Sequence, residues 1–93
     1  MTFSKRIKVI NKNGLHARPA SGLVNIANGF ESELHLSRID GDSRKADCKS
    51  VLQILLLGAS KDTELELSAK GIDAADAINE ISDYFNRNFD EVI

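Results

Sequence analysis

The sequence predicts a small α+β fold in which three helices cover one face of a four-stranded sheet. Segments that alternate apolar and polar residues, typical of half-buried strands, are interspersed with segments of helical apolar spacing. The pair Asp40-Gly41 is a tight hairpin signal between two of the strand-like segments. The resulting order is strand, helix, strand, strand, helix, strand, helix, which one layer of sheet and one layer of helices accommodate.

The composition is that of an ordinary globular protein. The chain has 93 residues, of which 42% are apolar and 28% charged, and we expect one domain over residues 1–93. The net charge of −2 gives no basic excess, so we expect neither nucleic-acid binding nor membrane insertion. Cys48 is the only cysteine, which excludes an internal disulfide, and no metal site is expected. With no secretory signal visible, the sequence is typical of a reduced, cytoplasmic protein.

Each predicted element follows from its apolar spacing and its end signals. Gly29 is expected to end the first helix in a left-handed conformation, and the Asp73 side chain to cap the last helix. The tail from Asn86 onward could dock or fray. The predicted strands cover residues 5–10, 31–38, 43–48 and 63–69, and the predicted helices cover residues 17–28, 51–57 and a segment after Asp73 whose apolar stripe reaches Phe85.

The apolar run 51–57 is compatible with a buried strand or a short helix. Ser50 is a good N-cap residue, Gly58 suits the position after a helix, and leucine favours helices, so we predict a helix. The run is apolar nearly all round, and one layer of sheet cannot bury all of it. Val51, Leu52 and Leu55 are therefore expected to form an exposed contact surface.

The stretch Asn13-Gly14-Leu15-His16-Ala17-Arg18-Pro19-Ala20 predicts an anion site. Proline is tolerated in a first helical turn, so a helix can begin here with His16 at its N-terminus. Free N–H groups and the positive end of the helix dipole favour a phosphate at such a place. A histidine beside a phosphate site suggests phosphoryl chemistry.

The run from Gly14 to Ala20 resembles the phosphorylation-site motif of HPr, the histidine-containing phosphocarrier of the bacterial sugar phosphotransferase system. Lys49-Ser50-Val51, followed by an aliphatic helix and Gly58, resembles the regulatory serine region of the same family. The resemblance covers nearly the whole chain. It implies an open-faced sandwich with the element order βαββαβα, in which three helices cover one face of a four-stranded antiparallel sheet. It also implies a monomer without a cofactor.

The resemblance also implies a role for each matching residue. His16 would accept a phosphoryl group on Nδ1 from phosphorylated Enzyme I and pass it to EIIA proteins in sugar uptake. Arg18 would bind the phosphoryl oxygens, Pro19 would fix the helix entry, and Gly14 would let the backbone approach the site closely.

Regulation is implied at the second helix. Ser50 would be the target of HPr kinase/phosphorylase in lineages that have that enzyme, and its phosphate would repel the acidic surface of Enzyme I beside the apolar patch.

One alternative is a regulatory paralogue of the same fold, a nitrogen-type or carbon-regulation binding module that acts through protein–protein contacts. A self-sufficient enzyme is poorly supported, because no metal ligands, nucleotide loop or triad accompany His16.

Overall fold

The computed structural model describes residues 1–41 and 44–91. Within these ranges the elements follow the predicted order βαββαβα and confirm the predicted fold class. The elements are β1 (Thr2–Lys8), α1 (Ala17–Ala27), β2 (Glu33–Arg38), β3 (Lys45–Asp47), α2 (Val51–Leu56), β4 (Glu64–Lys70), α3 (Ala74–Asn86) and a short 3₁₀ turn (Asn88–Asp90).

The strands form one antiparallel sheet in the order β1-β4-β2-β3. Ile7 lies opposite Leu65, and Leu67 lies opposite Leu36, so the register stacks apolar side chains on one face. Helix α3 packs against β1 and β4, and α1 packs against α2 and α3. The largest fully buried side chains of the core include Val9, Leu23, Leu34, Leu36, Ile54, Leu65, Leu67, Ile81 and Phe85.

Strand β1 is shifted toward the N-terminus relative to its predicted range of 5–10. Thr2 already pairs with Lys70 of β4, and Phe3, on the same face as Ile7, packs against the core. The strand ends at Lys8, yet Val9 stays buried and bonded: its N–H donates to Thr63 O (3.0 Å), and its carbonyl accepts from Asp62 N–H (2.7 Å). Strand bounds here are decided by the partner strand, which local spacing does not reveal.

The predicted side-chain cap by Asp73 is wrong. Asp73 occupies the N-cap position of α3 but makes no capping bond there. Its carboxylate instead accepts from the N–H groups of Glu31 (2.8 Å) and Ser32 (2.9 Å) and from the Ser32 hydroxyl. These bonds hold the pKa of the Asp73 carboxyl below its usual range, and the bond from the Ser32 hydroxyl has the largest effect. They also explain why β2 begins at Glu33, not at residue 31.

The first helix does not end in a left-handed glycine as predicted. Asn28, its C-cap residue, is in the right-handed helical region, and Gly29 does not have a positive φ. Gly29 N–H donates to Ile26 O (3.0 Å), so a tight last turn replaces the predicted motif.

The hairpin between β2 and β3 agrees with its signal, since Gly41 has φ +105° and the two strands pair antiparallel. Strand β3 is shorter than the predicted range of 43–48, and residues 42 and 43 lie outside the described residues. Cys48 follows the strand, and its N–H donates to Leu34 O (2.9 Å). Burial, with a smaller contribution from Asp47, raises the pKa of the Cys48 thiol to about 12.

The apolar run after Ser50 is a helix, as predicted. Ser50 Oγ accepts a hydrogen bond from Gln53 N–H (3.3 Å), and Gly58 adopts φ +61° after the last turn. An unpredicted cap closes the other end: the Arg38 guanidinium donates to Leu57 O (2.9 Å) and Gly58 O (3.1 Å). The strand that carries Arg38 thereby holds the end of α2.

The C-terminal tail packs onto the core as far as residue 91. The sequence had left open whether this tail docks or frays. The Phe89 ring is buried against Phe85 and Tyr84, at centroid distances of 4.8 and 5.3 Å. Residues 88–90 all have φ between 57 and 59°, a left-handed turn that costs about 1 kcal/mol or more per residue. Burial of the Phe89 ring offsets that cost. Residues 92 and 93 lie outside the described residues.

No helix in the described ranges is long and apolar enough to cross a membrane.

Candidate functional site

The loop before α1 is fixed by one backbone bond to another segment and by one turn bond within itself. Leu15 N–H donates to Ala59 O (2.8 Å), and Gly14 N–H donates to Asn11 O (3.2 Å). His16 follows as the N-cap residue of α1 in an extended conformation (φ −85°, ψ −171°). The imidazole therefore lies on a short segment that a turn shapes and one backbone bond ties to the chain before β4, at the start of a helix.

Gly14 is required by this arrangement for two separate reasons. Its φ of +72° lies in the left-handed region, and a Cβ there would stand 2.7 Å from Ala59 O and 2.9 Å from Ser60 Cα. Gly14 is therefore needed where this loop packs against the backbone that leads into β4, a contact that the sequence did not predict.

We expect Gly14→Ala to lower the free energy of unfolding by at least about 2 kcal/mol, since a left-handed alanine and a clash with fixed backbone atoms add. Urea unfolding monitored by circular dichroism measures this loss. Gly58→Ala is the matched control: Gly58 has φ +61° but no atom within 4 Å of the added Cβ, so only the conformational cost of about 1 kcal/mol applies. Equal losses in the two variants would contradict the clash.

The first turn of α1 presents backbone donors next to His16 that no described residue pairs with. The first hydrogen bond of the helix runs from Ala20 N–H to His16 O (2.9 Å), so the N–H groups of Ala17 and Arg18 precede it. The His16 side chain does not cap the helix. Pro19, at the third helical position, is buried and lacks an N–H that the helix would leave unpaired anyway. These groups can receive the oxygens of a phosphoryl group.

Arg18 is exposed, and among the described residues no hydrogen bond or ion pair engages its guanidinium. A free guanidinium two residues after His16 can bind phosphoryl oxygens in a bidentate manner.

A buried tyrosine of α3 holds the first turn of α1 in place. The Tyr84 hydroxyl of α3 donates to Pro19 O (3.1 Å). A Cβ on Gly22 would stand 2.1 Å from that hydroxyl, so the glycine inside α1 makes room for the ring. Burial raises the pKa of Tyr84, so its hydroxyl stays a donor to a higher pH than an exposed tyrosine would.

The structure adds two polar residues that sequence reasoning missed. Glu91 Oε2 lies 3.1 Å from His16 Nε2, and Glu91 Oε1 accepts a hydrogen bond from Asn11 Nδ2 (2.8 Å). Asn11 and Glu91 are 80 residues apart in the chain. Nothing in the sequence pattern pointed to this pairing, because an acidic residue near a chain end is ordinarily solvated.

The predicted contact surface on α2 is largely exposed. Leu52 is 68% exposed, Leu55 is 38% exposed, and Val51 is half-buried against the core. Leu56, 57% exposed, belongs to the same surface although it was not predicted. We call these four residues the α2 patch.

The predicted site residues fall into two groups. Gly14, His16, Arg18 and Pro19 come together at the junction of loop and α1. Ser50 caps α2, and Val51, Leu52 and Leu55 lie on α2, which packs against α1. The Ser50 backbone is bonded to Asp47 O (3.0 Å), and its side chain caps α2 as described above.

Residues 3–87 match a protein family described as the PTS HPr component phosphorylation site. The phosphocarrier protein NPr of Escherichia coli K12 is 34% identical over 91 residues, which is 98% of this chain and 99% of that protein. The multiphosphoryl transfer protein of Salmonella typhimurium is 38% identical over 81 residues, which is 87% of this chain but 22% of that longer protein.

A solved structure shares the fold closely. HPr-C-His from Thermoanaerobacter tengcongensis has a TM-score of 0.89 and 34% sequence identity, and the match covers 98% of this chain and 99% of that one.

Proposed function

Because the chain belongs to the HPr family of phosphotransferase-system phosphocarriers, we propose that His16 is the residue that carries its phosphoryl group. One observation supports this most directly: the imidazole, 38% exposed, stands immediately before the unpaired N–H groups that open α1. Gly14, Arg18 and Pro19 of the same motif frame it. No described residue near His16 offers a second nucleophile with its own base.

The proposed chemistry is transfer through a covalent phosphohistidine. A neutral imidazole is well populated near neutral pH and is a competent nucleophile. The N–H groups of Ala17 and Arg18 and the Arg18 guanidinium stabilise the charge on the transferred group. Partner proteins supply and remove that group, so the chain acts as a relay.

We propose phosphorylated Enzyme I as the donor and EIIA proteins as acceptors. The similarity to a multiphosphoryl transfer protein supports partners of the phosphotransfer class. The similarity to NPr favours a nitrogen-type pathway at least as well as sugar uptake, and both remain candidates for this chain.

The test is phosphorylation in a reconstituted system. Incubation with Enzyme I and labelled phosphoenolpyruvate should give the chain one phosphate that is labile in acid and stable in base. Parallel reactions with sugar-type and nitrogen-type Enzyme I and EIIA proteins identify the pathway by the faster transfer. A chain that takes up no phosphate from either donor would contradict the proposal.

We further propose that the α2 patch is a docking surface for a partner protein and that phosphorylation of Ser50 regulates it. Exposed leucines at the first turns of a short helix suit contact with a partner protein. A phosphate on Ser50 would add about two negative charges at the edge of this surface. It would disfavour an acidic partner surface without unfolding α2, because the N-cap position tolerates negative charge.

We expect Ser50→Asp to weaken binding to Enzyme I by about tenfold at low salt, and by less at high salt, because like charges repel and salt screens them. Ser50→Asn is the matched control, since asparagine caps a helix as well and adds no charge. Titration calorimetry measures both affinities. Equal affinities of the two variants would contradict the repulsion.

A further inference from the structure

The last turn of α2 is held by a side chain from the sheet. A helix of six residues is marginal by itself, so α2 depends on contacts with the rest of the molecule. Arg38, the last residue of β2, donates from Nη1 to Leu57 O (2.9 Å) and to Gly58 O (3.1 Å). Carbonyl groups at a helix end have no acceptor role left to fill within the helix. The guanidinium therefore closes the end of α2 that lies opposite the Ser50 cap.

A carboxylate fixes the guanidinium in that place. Asp40 Oδ2 accepts from Arg38 Nη2 (2.6 Å), and Asp40 Oδ1 accepts from Arg38 Nε (3.0 Å), so the pair is bidentate. The bond from Arg38 holds the pKa of the Asp40 carboxyl below its usual range, so the carboxylate stays ionised to a lower pH than that of an unpaired aspartate. One planar group thus joins the hairpin after β2 to two backbone carbonyls, which an ammonium group cannot do with the same geometry.

The turn that Arg38 holds carries half of the α2 patch. Leu55 and Leu56 directly precede Leu57, and they are 38% and 57% exposed. The N–H groups of Leu57 and Gly58 close this turn by donating to Ile54 O and Leu55 O, at 3.1 Å each. The carbonyls of the same two residues accept from Arg38. Movement of this turn would therefore displace the exposed leucines.

We propose that Arg38 is a positioning residue for docking: by holding the last turn of α2, it keeps Leu55 and Leu56 in the arrangement that phosphorylated Enzyme I contacts. Arg38 has this role only if the chain is the phosphocarrier proposed above, on which the inference rests. The role adds to that function a residue of β2 that lies outside both sequence motifs.

The advantage of such a contact is preorganisation. Each backbone segment or side chain that a partner must order on binding costs conformational entropy. A last turn that is already closed in the free chain avoids that cost. Arg38 lies on a different element from the loop that carries His16, so its loss should leave the transfer step itself unchanged. We therefore expect a weaker encounter with the donor and an unaltered rate within the complex.

A purely structural role of Arg38 predicts a different result. If the residue only stabilised the fold, its replacement would lower the free energy of unfolding but leave KM and kcat of the folded chain at their wild-type values. The kinetic constants of folded variants therefore separate the two roles.

Arg38→Gln is the main test, because it removes the charge and the planar fork together. Arg38→Lys keeps the charge and loses only the fork. Arg6→Gln is the matched control. Arg6 is exposed on β1, and it alternates with the core-facing Ile7, so it lies on the sheet face that the helices leave open. Its replacement removes the same charge without affecting α2.

The first measurement is amide hydrogen exchange at Leu57 and Gly58 in the free chain, followed by NMR. We expect these amides to exchange at least about tenfold faster in Arg38→Gln, since a hydrogen bond to a charged group is worth about that much in an equilibrium constant. Arg38→Lys should lie between this variant and wild type. Arg6→Gln should stay within about twofold of wild type, because exposed ion pairs contribute little.

The second measurement is phosphate uptake from phosphorylated Enzyme I at increasing concentrations of the chain. Arg38→Gln should raise KM by about tenfold and leave kcat within about twofold, since it changes the ordering cost of docking and not the reacting groups. Arg38→Lys should recover part of the lost affinity. Arg18→Ala gives the opposite pattern, because it slows the transfer itself.

Wild-type exchange at Leu57 and Gly58 in a folded Arg38→Gln variant would overturn the inference. A wild-type KM in that variant would do the same, as would an equal change in Arg6→Gln. If Arg38→Gln does not fold, Asp40→Ala takes its place, since removal of the anchoring carboxylate should shift exchange and KM in the same direction by less.

Failure of the proposed function gives a separate signature. A wild-type chain that takes up no phosphate from either donor would contradict the phosphocarrier role and the docking role with it. A wild-type chain that is phosphorylated normally, beside an Arg38→Gln variant with unchanged KM, would overturn the role of Arg38 alone.

Discussion

Replacing His16 by alanine should abolish phosphorylation by Enzyme I, because the proposed transfer needs the Nδ1 lone pair and nothing else in the first turn of α1 can replace it. The expected loss is complete within the detection limit of labelling from phosphoenolpyruvate. The fold should survive, since the His16 side chain does not cap α1 and is partly exposed.

The chain offers its own control, since it has only one other histidine. His35 is half-buried on β2, opposite Asp47 and Ser68 in the sheet, and lies in a different element from the anion site. His35→Ala should be labelled like wild type. Label that persists in His16→Ala, or that disappears in His35→Ala, would refute the assignment of the phosphorylated residue.

Replacing Arg18 by alanine should slow transfer to and from the chain by about 100-fold, because it removes one charged donor to the developing anion. The Arg18 guanidinium is exposed and unengaged by other described residues, so its loss should leave the free energy of unfolding nearly unchanged. Rapid-quench kinetics of phosphate uptake measures the rate, and urea unfolding measures the stability.

Arg18→Lys separates charge from geometry. Lysine keeps the positive charge but lacks the planar fork that binds two oxygens at once, so it should recover part of the rate and not all of it. Transfer by Arg18→Ala at the wild-type rate would contradict the proposed role. A large loss of stability in the same variant would show that Arg18 serves the fold.

Local patterns in the sequence were sufficient for the element order and for placing the candidate residues at one helix start. Apolar alternation marked the core positions Leu34, Leu36, Leu65 and Leu67, all fully buried. Ser50 and Gly58 bounded α2 correctly, because capping involves atoms only a few residues apart. His16, Arg18 and Pro19 could be placed together for the same reason: they lie within one turn of the chain.

The remaining features depend on contacts between distant residues. Asp73 looks like a helix cap in the sequence, but its carboxylate binds the Glu31 and Ser32 N–H groups some 40 positions earlier. Strand β1 begins at Thr2 because β4 reaches Lys70, which the alternation of β1 does not encode.

Glu91 is the strongest case of such a contact. The sequence shows an acidic residue in a polar tail, and only the packing of Phe89 and the left-handed turn bring its carboxylate to His16. Residue spacing determines which side chains share one turn or one strand face. Which carboxylate meets which imidazole across 75 residues is decided by the packed core, because the interaction exists only once the chain has closed around it.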